Sequence, residues 1–272
     1  MAKRQIGLVL LFFLLATTAL AVGSFTKFPV LEYHLISRPE ARWTRTPENF
    51  RADLEWLRAN NYYPVNLRDI LDGFPGLPPG KTPVVLTFDD SSSSQFRYLP
   101  NGTIDPDCAV GIIKAFHDKQ PKDWPLRATF FIVIGTNNPD RNLFGQKELV
   151  EKKLKQLTEW GMEVGSHTYW HDRLNKTKPE LAKYSLARSY DTLKRLSGQE
   201  IVSLALPMGL YPSDEVGTFK AQYQKIKYDF KLACEVAGGL QPAPWTPQFN
   251  PYHIRRIQTI GSEWKKHFGR GD

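Results

Sequence analysis

Two short segments of the chain carry side chains that could do chemistry together. Asp89 and Asp90 close an apolar run, and His167 and His171 stand four positions apart further along the sequence. Two imidazoles and one carboxylate can bind a divalent metal ion and leave coordination positions open for water and substrate. The remaining carboxylate would then be free to take a proton from the attacking water. These residue types favour a mononuclear metallohydrolase.

Each half of this pattern also has a purely structural interpretation. A pair of aspartates after a strand often makes a turn and caps a helix, and two nearby histidines can be satisfied structural side chains. A non-haem iron oxygenase would use the same set of metal ligands. The alternation of strands and helices along the chain counts against the oxygenase, since no all-β pattern is present.

The elements that must position these side chains alternate between buried strands and amphipathic helices. Strands are predicted at residues 28–34, 63–65, 84–88, 128–134, 162–164, 201–206, 230–236 and 254–257. Helices are predicted at residues 47–57, 67–71, 108–117, 146–160, 179–196 and 262–267. Repeated strand–helix units imply an α/β fold with a parallel sheet, and about seven of them imply a barrel.

Polar or turn residues follow the C-terminal ends of four of the predicted strands. They are His34, the pair Asp89 and Asp90, the pair His167 and His171, and the turn Pro207-Met208-Gly209. In a β/α barrel, the C-terminal ends of the strands form the rim at which catalysis takes place. A set of unrelated structural histidines would not explain why four strands deliver such residues to one rim.

The N-terminal segment predicts export from the cytoplasm. Lys3 and Arg4 precede an apolar run, and Ala19-Leu20-Ala21 follows it. This order describes a secretory signal peptide over residues 1–21, leaving residues 22–272 as one domain. An uncleaved membrane anchor is the alternative, because the apolar stretch continues beyond residue 21.

The charge balance and the cysteine count bound the partners of the exported chain. The formal net charge is +8, and +6 remains once the two basic residues of the signal segment are removed. A basic exported protein can associate peripherally with anionic lipid or cell wall, although a merely soluble basic surface fits equally well. Nothing resembles a nucleic-acid module, and we expect a monomer. Cys108 and Cys234 could pair after export or stay free.

Three segments resemble the motifs of the polysaccharide deacetylases, the NodB-like carbohydrate esterases of family four. Thr87-Phe88-Asp89-Asp90 resembles the first motif. The segment 167–171, His-Thr-Tyr-Trp-His, is similar to the second, and the segment 206–209, Leu-Pro-Met-Gly, is similar to the third. The likeness covers nearly the whole chain after the signal segment. It implies a distorted, incomplete (β/α)7-type barrel.

The resemblance also implies a role for each motif residue. Asp89 corresponds to the general base, whereas Asp90, His167 and His171 correspond to the metal ligands. The backbone N–H of Met208 corresponds to the donor that binds the oxyanion. Zinc is the expected metal, with cobalt, nickel or iron as alternatives.

Three departures from the family pattern bear on the mechanism. Ser91 stands where the first motif usually continues with glycine, and Ala205 stands where the third motif usually carries an arginine that orients the base. The C-terminal Leu-x-x-His motif, which normally supplies the general acid, is not found after Ile257, and His267 lies too near the end to match it.

The N-terminal segment offers a replacement for the missing acid. Leu31-Glu32-Tyr33-His34 resembles the Tyr-His segment of the circularly permuted branch, which includes the deacetylases of poly-β-1,6-N-acetylglucosamine. This resemblance implies that His34 is the general acid. The arginine of the third motif is not general in that branch, so Ala205 fits. The segment 252–256 is interpreted as a late barrel strand.

The sequence therefore predicts an extracellular, metal-dependent de-N-acetylase of an N-acetylglucosamine polymer, with poly-β-1,6-N-acetylglucosamine as the expected substrate. Peptidoglycan or chitin oligomers are alternative substrates. A non-catalytic polysaccharide binder is disfavoured because it would not need Asp89 beside the metal ligands. Pro207, Gly209, Trp170 and Trp245 are predicted to contact the sugar, although both tryptophans could equally be packed side chains.

Overall fold

The computed structural model describes residues 25–270 of the 272-residue chain. The predicted signal peptide over residues 1–21 lies outside the described residues. Among the residues described, no helix combines the length and the hydrophobicity needed to cross a membrane.

The strands and helices follow the order predicted for a β/α chain. The strands are β1 (Lys27–Phe28), β2 (Val30–Tyr33), β3 (Leu35–Ile36), β4 (Thr44–Arg45), β5 (Tyr62–Val65), β6 (Thr82–Phe88), β7 (Thr129–Ile132), β8 (Glu163–Ser166), β9 (Ser203–Ala205), β10 (Lys220–Tyr223), β11 (Ile226–Asp229), β12 (Leu232–Gly238), β13 (Gln241–Pro242) and β14 (Ile254–Gln258). The helices are α1 (Pro47–Ala59), α2 (Ala109–Lys119), α3 (Val150–Glu159), α4 (Pro179–Ser197), α5 (Glu215–Phe219) and α6 (Gly261–Phe268).

Seven parallel strands close into a barrel in the order β2-β14-β12-β9-β8-β7-β6, and β6 pairs with β2 to complete the ring. The junction between β8 and β9 is the weakest, with Ser166 and Leu204 as its paired residues. β5 pairs with the first half of β6 and lies outside the ring. The structure confirms the predicted (β/α)7-type barrel and shows that its ring of strands is closed.

Both faces of the barrel strands are buried, because side chains alternate between the two faces along a strand. On β2, Leu31 and Tyr33 pack in the large apolar cluster shared with the helices. Val30 points the other way and packs with Val85 in a second cluster, which fills the barrel interior. Glu32 shares the face of Val30 and is also buried. The interior therefore changes from apolar to polar toward the C-terminal strand ends.

The loop between β2 and α1 is held rigidly. Thr46 caps α1 by accepting a hydrogen bond from the backbone N–H of Asn49, as the sequence predicted. Arg45, buried beneath the loop, donates two hydrogen bonds of 2.9 and 2.7 Å to the buried carboxylate of Asp53 on α1. It also pairs with Glu40 at 2.7 Å. Such a buried and bonded ion pair fixes loop geometry, since breaking it would leave an uncompensated charge.

Some elements were not visible in the sequence pattern. The antiparallel hairpin of β10 and β11 precedes β12 and packs on α4.

Cys108 and Cys234 are both free and buried, so the possible disulfide does not form. Cys108 instead caps α2, where its sulfur accepts a hydrogen bond from Gly111.

Candidate active site

A cavity of about 640 Å³ opens at the C-terminal rim of the barrel. Six of the residues that the sequence singled out line it together: His34, Asp89, Asp90, His167, His171 and Met208. The other lining residues are Leu35, Arg42, Trp43, Asn138, Asp140, Arg141 and Val236. The strand ends thus bring four separate segments into one polar cavity, as the barrel topology requires.

Asp90, His167 and His171 form a compact set of possible metal ligands. Oδ1 of Asp90 lies 3.5 Å from Nε2 of each histidine, and the ligand atoms of all three lie within 4.8 Å of one another. Nδ1 of His167 lies 2.8 Å from the carbonyl oxygen of Ala205. A proton on Nδ1 would satisfy that carbonyl and leave the lone pair of Nε2 facing the site.

The electrostatics of this triad also suit a cation. Burial and the neighbouring His167 lower the pKa of His171 to about 4, which keeps its imidazole neutral. Burial alone would lower the pKa of His167 too, but Asp89 and Asp90 outweigh it and raise that pKa above its usual value. The carboxylates therefore favour positive charge beside Nε2 of His167, and the charge of a bound metal ion would meet the same preference. Two imidazoles and one carboxylate fit zinc and similar divalent ions.

The backbone at the rim adopts the left-handed conformation at several positions without glycine. Asp90 has a φ of 77°, Thr168 a φ of 60°, His171 a φ of 63° and Met208 a φ of 61°. Such conformations cost free energy for ordinary residues and cluster at functional sites. They turn Asp90 and His171 toward each other after their strands have ended.

Ser91 explains how the first motif does without its usual glycine. Its φ is 44°, a conformation that glycine adopts most easily. The buried hydroxyl donates to the carbonyl of Arg141 and accepts a hydrogen bond of 3.1 Å from the N–H of Val133. These bonds offset the strain and tie the Asp90 turn to the neighbouring loop.

Asp89 is held by an arginine that the sequence analysis did not identify. Arg256 on β14 is fully buried and binds both oxygens of Asp89, each at 2.7 Å. Its second terminal nitrogen also donates to Oε1 of Glu32 at 2.8 Å. Arg256 thus makes with Asp89 the kind of contact that the resemblance assigns to the arginine missing at position 205. The segment 252–256 is thus a barrel strand and also part of the site.

One signal in the sequence could have found Arg256. Ile254 packs in the barrel interior, and side chains two positions apart on a strand share a face. Arg256 therefore had to point into the interior, where an arginine needs an anionic partner. Arg255 is exposed, as the same alternation requires.

Asp89 and Glu32 share the guanidinium of Arg256, but their pKa values shift in opposite directions. Burial would raise the pKa of Asp89, but the charge of Arg256 outweighs it and holds that pKa below its usual value. Burial dominates at Glu32 and raises its pKa to about 8, with a further upward push from Asp89. Arg256 therefore favours the ionised form of Asp89, whereas burial favours the protonated form of Glu32.

His34 lies next to Asp89 and lines the same cavity. Glu32, His34 and Asp89 place one polar atom each within 4.8 Å of one another. Burial lowers the pKa of the imidazole below its usual value, against the opposing effect of Asp89 and Asp90. Trp43 covers the imidazole with a centroid distance of 4.6 Å.

The two predicted sugar-binding tryptophans lie elsewhere. Trp245 packs on Phe25 and Phe74, with centroid distances of 4.9 and 6.2 Å. Both phenylalanines contact Phe28, which precedes β2, so Trp245 lies at the opposite end of the barrel from the cavity. The structure therefore does not bring Trp245 to the cavity, and a tryptophan in a proline-rich loop can equally serve as a packed side chain.

Trp170 lies between the two histidines in the segment 167–171, is 41% exposed and packs on Tyr184, but does not line the cavity. Pro207 is buried. A Cβ on Gly209, whose φ is 66°, would lie 3.1 Å from the backbone nitrogen of Val236, so glycine lets this turn approach β12 closely. Trp43, which the sequence analysis did not single out, is the tryptophan that lines the cavity.

Comparisons with known proteins agree with the motifs. The family model described as polysaccharide deacetylase matches residues 76–223. A poly-β-1,6-N-acetyl-D-glucosamine N-deacetylase of Staphylococcus epidermidis is 24% identical over 245 residues, which cover 84% of this chain and 74% of that protein. The protein YxkH of Bacillus subtilis (strain 168) is 24% identical over 213 residues, or 77% of this chain, and the chain spans only 65% of its length.

Solved structures share the fold. The deacetylase PplD of Streptococcus pyogenes has a TM-score of 0.62 and 21% identity, covering 86% of this chain and 92% of that chain. IcaB from Ammonifex degensii has a TM-score of 0.64 and 21% identity, covering 89% of this chain and 95% of that chain.

We predict that Arg256→Met destabilises the fold, whereas the neighbouring Arg255→Met leaves it nearly unchanged. Losing Arg256 leaves two buried carboxylates without a cation, which should cost about 3–5 kcal/mol in the free energy of unfolding. The exposed Arg255 should cost no more than about 0.5 kcal/mol. Denaturant unfolding at pH 7 measures both.

The stability lost in Arg256→Met should depend on pH in a defined direction. Because Arg256 lowers the pKa of Asp89, its stabilising effect exists above the unfolded pKa and is lost as the pH falls through the folded pKa. The difference between wild type and Arg256→Met should therefore shrink as the pH is lowered. Equal losses for the two variants would contradict the proposed partnership of Arg256 and Asp89.

Proposed function

The chain belongs to the polysaccharide deacetylase family, hydrolases of amide bonds in polysaccharides, and we propose that it is an extracellular, metal-dependent de-N-acetylase of poly-β-1,6-N-acetylglucosamine. The observation behind this proposal is that the adjacent carboxylates of Asp89 and Asp90 have different partners. Asp90 faces the two histidines, whereas Asp89 is ionised and bonded to Arg256. A hydrolase needs both a metal ligand and a separate base at this place.

Asp90, His167 and His171 would hold the metal. A divalent ion there would polarise the acetyl carbonyl and make water a better nucleophile at neutral pH. Arg141 pairs with Oδ1 of Asp90, the same oxygen that faces the histidines, which helps to hold the carboxylate in place. Zinc is the proposed ion because the ligand set is two nitrogens and one oxygen, with cobalt, nickel or iron as alternatives.

Asp89 acts as the general base. Its Oδ2 lies 3.8 Å from Nε2 of His167, which places the carboxylate beside the metal ligands. Arg256 fixes its orientation and keeps it ionised, so it can take a proton from the attacking water. The backbone N–H of Met208, whose residue lines the same cavity, would donate to the oxyanion, a contact worth roughly 3 kcal/mol.

His34 acts as the general acid. The amine is a poor leaving group until it is protonated, and His34 lines the cavity next to the base. Its lowered pKa makes the protonated imidazole a stronger acid than an ordinary histidine. His34 and Asp89 lie close together. Asp89 can therefore take a proton from water while His34 gives its own proton to the departing amine nearby.

The proposed linkage of the substrate rests on the relatives. The Staphylococcus epidermidis relative is a deacetylase of poly-β-1,6-N-acetyl-D-glucosamine by name, and the resemblance of the segment containing His34 to the permuted branch supports the same polymer. Acetate release from poly-β-1,6-N-acetylglucosamine, peptidoglycan and chitin oligomers, compared side by side, tests the choice of polymer.

We predict that poly-β-1,6-N-acetylglucosamine releases acetate faster than peptidoglycan or chitin oligomers. Removal of metal with a chelator should abolish the release, and zinc, cobalt or nickel should restore it, because Asp90, His167 and His171 would hold an ion that supplies Lewis-acid chemistry. Full activity in a verified metal-free preparation would refute the mechanism. Faster release from peptidoglycan or chitin oligomers would reassign the substrate.

His34→Ala should lower kcat by roughly 10²- to 10⁴-fold. Bound metal and the free energy of unfolding should change little, since His34 is not proposed as a ligand. The limb of the pH–rate profile that falls as pH rises should also lose the ionisation of His34. His117→Ala is the matched control, because His117 lies on α2 away from the cavity. Near-normal turnover of His34→Ala would show that another group donates the proton.

Export is part of the proposal and rests on residues 1–21 together with the basic balance of the chain. The protein should be found at the cell surface or in the medium, and high salt should release any fraction held by charge, since exposed charges are screened within about 10 Å at 0.1 M. Fractionation of expressing cells measures this. Recovery of the protein only from the cytosol would contradict it.

A further inference from the structure

We propose that Arg42 and Trp43 form a subsite for the sugar next to the one being deacetylated, and that Arg42 makes this subsite reject a neighbour that has already lost its acetyl group. The inference rests on the proposed function, because it assumes an N-acetylated polymer in the cavity. It adds a reason for the enzyme to leave acetyl groups in place along a chain.

The two residues form the tip of a rigid turn. The N–H of Ala41 donates to the carbonyl of Thr44 at 2.9 Å, and the N–H of Thr44 donates back at 3.0 Å. The carbonyl of Trp43 also accepts a hydrogen bond of 3.0 Å from Leu35. The turn is therefore closed at its base and tied to the strand segment that follows His34.

Trp43, at the tip of this turn, lies beside His34, the proposed general acid. Its ring lies 4.6 Å from the imidazole of His34, between centroids, and it lines the cavity. It is still 38% exposed, so part of the indole remains free. A sugar ring can pack its apolar face on such a surface, as aromatic side chains supply large apolar area with fixed geometry. A sugar in this place would be adjacent to the amine that His34 protonates.

Arg42 adds an uncompensated positive charge. Its guanidinium carbon lies 4.9 Å from the ring centroid of Trp43, which orients it. Within residues 25–270 it forms no ion pair, although several other arginines do. Arg141, the other arginine of the cavity, is neutralised by Asp90. Arg42 is thus the arginine of the cavity that can act on a charged substrate.

The charge of Arg42 can distinguish an acetylated neighbouring sugar from a deacetylated one. An N-acetylglucosamine neighbour is neutral, whereas its deacetylated form carries an ammonium group. Two positive charges about 4 Å apart in water repel each other enough to lower binding roughly fivefold, and more where water is excluded. Asp140, a carboxylate that would attract an ammonium group, also lines the cavity. We therefore infer that the rejection applies to the neighbour on the Arg42 side, so acetyl removal along the polymer is spaced.

The test uses three β-1,6-linked trimers in which the middle sugar is acetylated. One is fully acetylated, and two carry a single glucosamine at either end. We expect wild type to show a kcat/KM at least roughly fivefold lower for one of the two mixed trimers than for the fully acetylated one. Acetate release from the middle sugar, located by mass spectrometry, gives the rates.

The variants assign the effect to its source. Arg42→Gln should remove the penalty, and Arg42→Glu should turn it into a preference for the glucosamine neighbour. Arg195→Glu makes the same change in net charge on the exposed face of α4 and should keep the penalty. The penalty of wild type should also fall in about 1 M salt, where charges are screened within about 3 Å.

The outcomes separate this inference from the proposed function. No release from any trimer or from the polymer would count against the deacetylase activity itself. Release without a penalty in either mixed trimer, or a penalty that survives in Arg42→Glu, would overturn the subsite while leaving the activity standing. A penalty lost equally in Arg195→Glu would show that overall charge, and not Arg42, is responsible.

Discussion

The ion pair between Arg256 and Asp89 is the interaction on which the rest of the site depends. Two adjacent aspartates at one strand end would otherwise compete for the same metal, and burial would favour their protonation. Arg256 takes both oxygens of Asp89 at 2.7 Å. That leaves Asp90, whose backbone turns into the left-handed region, to face the histidines. The two neighbours can therefore serve as base and ligand.

The closed barrel makes this ion pair possible. A fully buried arginine with two carboxylates is costly to desolvate, and it persists only where its hydrogen bonds are satisfied. Here the donors of Arg256 meet Asp89, Glu32, Thr87 and the carbonyl of Glu235, which lie on neighbouring strands of the ring. The same closure pairs β2 with β6 and so brings His34, which follows β2, next to Asp89, which follows β6.

Much of the fold and the set of cavity residues could be predicted because they follow local rules. The order of strands and helices follows from apolar periodicity, and the rim position of His34, Asp89 and His167 follows from barrel topology. Arg256 was missed because it acts across the barrel on a residue 167 positions away. Trp43 was missed because a loop tryptophan gives no sign of whether it faces the cavity or, like Trp245, packs at the other end.

A crystal structure of the metal-loaded protein, with anomalous diffraction to locate the ion, tests the division of the two carboxylates most directly. We expect the ion to be bound by Asp90, His167 and His171, with Asp89 still bonded to Arg256 and outside the ligand set. A second cluster of possible ligands, Glu32, His34 and Asp89, lies close by. An ion bound there, or Asp89 detached from Arg256 to ligate the metal, would contradict the assignment of base, acid and ligands.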